Sequence, residues 1–176
     1  MIVRLPRFVV LLVSLAALSL PAAAANTPTP KSLLENPEHW GAFAVKEEGG
    51  LACYIAGQPV DTKPDNVNRG EVWLLVTHRP YRGVADEVSI YTGYPYKKGS
   101  SVQVDIDGHG FKMFTDDDTA WAHDHKTDVA MVGAMRAGLK MVVEGTSSRG
   151  TDTTDTYDLR GFTRAHTAID KACNVK

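Results

Sequence analysis

From Gly138 to Phe162 the chain reads G-L-K-M-V-V-E-G-T-S-S-R-G-T-D-T-T-D-T-Y-D-L-R-G-F. Two runs with a two-residue period flank a polar turn punctuated by glycines, and Gly161 stops the second run. This is the pattern of a β-hairpin with an unusually hydroxyl-rich tip. Leu139, Met141 and Val143 mark the inward face of its first strand, Tyr157 and Leu159 that of its second. No catalytic signature lies within it.

The same reading extends upstream. Trp40 to Lys46 and Leu51 to Gly57 are strand-like around a turn at Glu47 to Gly50, with Cys53 and Ile55 sharing one face. Gln58 to Gly70 is a long loop rich in Pro, Asp and Asn. Val72 to Val76 is apolar on both faces, which suits a central strand, and Pro80 ends it. Val102, Val104 and Ile106 alternate cleanly with polar neighbours, and Asp107-Gly108 is a strong hairpin signal. Thr127 to Arg136 reads as a helix with Thr127 as its N-cap, and Thr163 to Cys173 as a second helix. The expected fold is mainly β: an antiparallel β-sandwich or partly closed barrel with two short helices, one before the last hairpin and one at the C-terminus.

Ahead of this domain, Arg4 and Arg7 precede an apolar run from Phe8 to Leu20, then Pro21 and four alanines. That order describes a secretory signal peptide cleaved near Ala25, and the apolar run is too short to span a bilayer. Residues 26–39 read as a polar linker and 40–176 as a single domain. Loss of two arginines and no carboxylate takes the formal charge from −2 for the whole chain to −4. A weakly acidic domain has no electrostatic footprint for nucleic acid. Export leads to an oxidising compartment, periplasmic or extracellular, so the only two cysteines, Cys53 and Cys173, are expected to form one disulfide. Two buried thiols or a two-cysteine metal site are the alternatives.

Several segments stand together: Val76-Thr77-His78-Arg79-Pro80, Gly93-Tyr94, Ala134-Met135-Arg136 with Gly138, and above all Gly145 to Phe162, followed by Ala165, Ile169 and Ala172-Cys173. Together they resemble the invasion-associated locus B family of exported bacterial proteins. The resemblance spans Trp40 to Cys173. It implies a small exported, disulfide-compatible protein of a family named for one member's association with host-cell entry. It brings no catalytic residues, ligand or cofactor.

Four constellations invite a chemical reading. His123 and His125, two residues apart, would face one way on an extended strand as a zinc or copper pair does, with a third ligand from His78, His109 or the aspartates 116–118. A short polar H-D-H segment is more commonly a solvated loop, so no metal or other cofactor is expected, and His39 and His166 read as surface residues. The aspartates near 105–107 and 116–118 lack the spacing of a calcium loop and suit turns. At the hairpin tip, Ser147, Ser148, Arg149 and Thr151 offer hydroxyls, a guanidinium and turn amides for an anionic or sugar group, unless the hydroxyls satisfy their own backbone. Tyr94 and Tyr96 flank Pro95 in a turn, where exposed tyrosines would anchor a protein or glycan.

The expectation is therefore a non-enzymatic exported protein that binds a protein or glycan partner at the bacterial envelope or a host surface, with no transmembrane segment after leader removal. A periplasmic metal-binding protein or enzyme using His123 and His125 is the first alternative, and an envelope stress or assembly factor the second.

Overall fold

The structure is a computed structural model in which residues 28–65 and 67–175 are described. The expected signal peptide lies outside them. Eleven strands run β1 Lys31–Ser32, β2 Trp40–Glu47, β3 Gly50–Gly57, β4 Asp61–Lys63, β5 Trp73–Arg79, β6 Val84–Tyr91, β7 Ser101–Ile106, β8 His109–Asp116, β9 Thr119–Trp121, β10 Lys140–Thr146 and β11 Asp152–Asp158. Helix α1, His125–Ala137, precedes β10, and α2, Phe162–Cys173, follows β11. The mainly β class with two helices so placed is what the periodicity indicated.

The strands join in one unclosed antiparallel sheet, in the order β1-β2-β3-β5-β6-β9-β8-β7-β10-β11-β4. Strand β5 lies mid-sheet between β3 and β6, which explains its two apolar faces. The sheet curls. Trp40, on the second strand from one edge, donates its indole N–H to the Asp158 carbonyl at the end of the second strand from the other edge, at 2.8 Å. The same indole lies edge-on against Phe162, with centroids 5.1 Å apart, and 6.2 Å from Tyr157. Gly57 pairs with Trp40 across β2 and β3, and a Cβ there would come within 2.5 Å of the indole. The buried aromatics, with Ile55, Leu74, Ile90, Met113 and Ile169, fill the interior. Helix α2 packs on β2, β3 and β5, whereas α1 packs on β6, β7 and β8.

Local rules account for most boundaries. The two-residue turn between β7 and β8 places Asp107 at φ 47° and Gly108 at φ 89°, the paired positive values of a type I′ turn. Cys53 in β3 is bonded to Cys173 at the end of α2 across a sequence separation of 120, so the expected disulfide is present and ties helix to sheet.

Three local expectations change. Asp124 is the N-cap of α1, accepting from the Thr127 amide and hydroxyl at 2.7 Å each, so Thr127 is the third helical residue and not the cap. Leu139 precedes β10 and is 69% exposed, because pairing with β11 begins at Lys140. Within the expected linker, Lys31 and Ser32 pair with Ala44 and Phe43 as an edge strand.

Candidate functional site

Strand β11 turns Thr153, Asp155 and Tyr157 inward. A carboxylate at a core-facing register position needs a partner, and Arg69 supplies it from the loop between β4 and β5. The two pair side-on: Arg69 Nη1 donates to Asp155 Oδ2 at 3.1 Å and Nη2 to Oδ1. Their side chains are 8% and 1% exposed. The guanidinium also lies 5.9 Å from the centre of the Tyr94 ring.

The contact between that loop and the Tyr94 segment depends on two glycines. The Gly70 amide donates to the Gly93 carbonyl at 2.8 Å, and a Cβ on Gly93, whose φ is +69°, would fall 2.4 Å from the Gly70 backbone. Beside them opens a cleft of about 230 Å³, lined by Val67, Asn68, Arg69, Tyr94, Ser147, Arg149, Thr151 and Thr153.

Four of the six proposed binding residues thus meet at one place: Tyr94, Ser147, Arg149 and Thr151. Their roles differ from the expectation. Tyr94 and Tyr96 are 6% and 5% exposed, so they do not form an exposed aromatic anchor. The segment carrying them crosses the ends of other strands: Tyr96 N–H donates to the Asp117 carbonyl, Lys97 N–H to the Thr146 carbonyl, and Ser148 N–H to the Pro95 carbonyl. The chain bends ahead of Pro95, but the tyrosines on either side are covered. Tyr94 shares a 2.5 Å hydrogen bond with the Thr153 hydroxyl. Burial pushes the phenols of Tyr94, Tyr96 and Tyr157 above their ordinary value, so all three keep their protons.

At the tip, Ser147 is buried and its hydroxyl accepts from the Thr151 amide at 3.1 Å, which closes the turn. Thr146 donates to Asp152 at 2.7 Å. Part of the hydroxyl-rich tip therefore satisfies itself. Arg149 and Ser148 are exposed, and Arg149 faces the cleft.

The histidine readings are also redistributed. His123 and His125 are exposed at the start of α1, with Asp124 between them serving as helix cap, so they do not project together from an extended strand. His166 is not a surface residue; it is 3% exposed and faces His78, which is fully buried. These imidazoles meet Asp86 and Asp170. His166 Nε2 is 2.7 Å from Asp86 Oδ1, and His78 Nε2 is 3.0 Å from Asp170 Oδ1. Burial pushes the His78 imidazole down despite both carboxylates. For Asp86, burial raises the carboxyl, but the His166 hydrogen bond and neighbouring imidazoles outweigh it and hold it below its ordinary value.

A family model described as invasion associated locus B (IalB) protein matches residues 40–170. The chain belongs to the IalB family. No curated protein and no solved structure gives a significant match. The family match runs from β2 into α2 and so includes both the cleft and the histidine–aspartate group. The disulfide of this IalB-family chain suits an oxidising compartment, and no helix among the described residues is long and apolar enough to cross a membrane.

Sequence reasoning missed Arg69, Asp155, Asp86 and Asp170. Asp155 carried a signal, because it shares the inward parity of Tyr157. Asp170 sits one helical turn after His166, a spacing that places both on one face. Nothing in the sequence pointed Arg69 or Asp86 at those partners.

Proposed function

We propose that this IalB-family chain is an exported protein that acts by binding at the bacterial envelope or a host surface, and that the cleft between the β4–β5 loop and the β10–β11 tip receives the partner. The observation carrying this reading is the convergence of Arg69, Arg149 and Thr151 on one concavity. Asp155 behind the lining holds Arg69 in place, leaving the exposed Arg149 guanidinium and Asn68 to meet an acidic or hydroxyl-rich group on a protein or glycan. Family membership and the disulfide support export. The chain is proposed to carry out no reaction of its own.

A photo-crosslinking residue at Ser148, at the exposed rim, tests this in intact cells. Capture of a defined partner that is lost on Arg149→Glu, with Tm unchanged, is the expected result. Unchanged capture in that variant, or turnover of envelope substrates by the purified protein, would overturn the reading.

A further inference from the structure

We propose that His78, Asp86, His166 and Asp170 form a site for one divalent transition-metal ion of the zinc type. One ligand atom from each lies within 4.8 Å of all the others. Ligands around a tetrahedral zinc stand about 3.3–3.6 Å apart, given metal–ligand bonds near 2.0–2.2 Å. His78 Nε2 stands 3.0 Å from Asp170 Oδ1 and His166 Nδ1 3.1 Å from Asp170 Oδ2, while the group as a whole spans up to 4.8 Å, so the side chains must draw inward to close on an ion.

Each ligand arrives by a different backbone device. His78 lies on β5 where pairing with β6 slips, Thr77 facing Glu87 and Arg79 facing Val84. The extra residue on β6 is taken up as a bulge, and Asp86 sits there at φ 56°, a left-handed conformation that carries strain in a non-glycine residue. His166 and Asp170 stand one turn apart on α2. The imidazole side chains are 0% and 4% exposed, the carboxylates 19% and 27%. The nitrogen donors thus form the floor and the oxygens the mouth, through which a hydrated cation enters.

Buried His166 Nδ1 has no hydrogen-bond partner, although Asp170 Oδ2 is 3.1 Å away, because the two are not aligned for one. An unpartnered nitrogen at the floor of a two-carboxylate mouth is a ligand position. Two neutral imidazoles select against calcium and magnesium, which take all-oxygen sets. Both cysteines are bonded to each other, so no thiolate is offered to a softer ion. Two aspartates balance a 2+ charge. The pair differs from His123 and His125, which lie exposed at the start of α1.

Metal binding has one structural consequence. His78 Nδ1 now accepts the Asp86 amide proton at 3.0 Å. Coordination through His78 Nε2 puts the proton on Nδ1, and coordination through Nδ1 occupies its lone pair. Either way the Asp86 amide loses its acceptor.

The test uses the oxidised chain, expressed with its own leader, purified from the periplasm and stripped with chelator. Titration with Co²⁺ should give one equivalent with the visible absorption of a four-coordinate site, displaced by one equivalent of Zn²⁺, with a rise in Tm. The Asp86 amide resonance should shift, the His123→Ala/His125→Ala variant should behave as wild type, and Asp170→Asn should weaken binding at least tenfold. If Asp170→Asn does not fold, the wild-type Asp86 resonance decides. No stoichiometric binding, an unmoved Asp86 amide, or loss of binding only in the His123/His125 variant would overturn the proposal and leave the four residues as a hydrogen-bonded network only.

Discussion

Replacing Arg69 by methionine removes the partner of a carboxylate that is 1% exposed while keeping most of the side-chain volume. Deleting one member of a buried ion pair costs about 3–5 kcal/mol, because the remaining charge is left desolvated. Domains of this size have a total stability on the order of 5–15 kcal/mol, and each kcal/mol moves Tm by about 2–4 °C. Arg69→Met should therefore lower Tm by roughly 10 °C and shift the urea midpoint without changing the slope. Urea is the proper denaturant, since guanidinium salt would add its own screening. The double variant Arg69→Met/Asp155→Leu should recover most of the loss, since a well-packed apolar pair can match a buried ionic one. Circular dichroism with the disulfide intact reads both. A loss under about 1 kcal/mol in the single variant, or a double variant no more stable than the single, would refute the argument that desolvation of Asp155 dominates.

The disulfide closes a separation of 120 residues, which in the chain-entropy account contributes about 5 kcal/mol; Cys53→Ala/Cys173→Ala should lose most of that in urea unfolding. At Asp124, hydrogen bonds from the Thr127 hydroxyl and amide hold the carboxyl below its ordinary value. Its contribution is complete above the ordinary carboxylate range and is lost as pH falls through the lowered folded value. An NMR titration should show the Thr127 amide signal moving over that acid window in the wild type and staying flat in Asp124→Asn, while Asp124→Ala loses helix stability near neutral pH and less of it in acid.

The sequence by itself determined the mainly β class, the hairpin over Lys140–Asp158, the hairpin turn at Asp107-Gly108, both helices to within two residues at either end, and the cysteine pair. These follow from neighbours two to four residues apart, where period, turn chemistry and capping act locally. One exception among local features was the α1 cap, where Asp124 and Thr127 both qualify by residue type and only the backbone at Asp124, extended at φ −159°, decides. Tertiary structure alone decided that Tyr94 and Tyr96 are covered, that Arg69 reaches Asp155 from 86 residues away, and that His166 turns from an assigned surface position to face His78. Those meetings depend on the order in which strands join and on how far the sheet curls. A side chain's local periodicity carries no record of which distant strand or loop will come to lie against it.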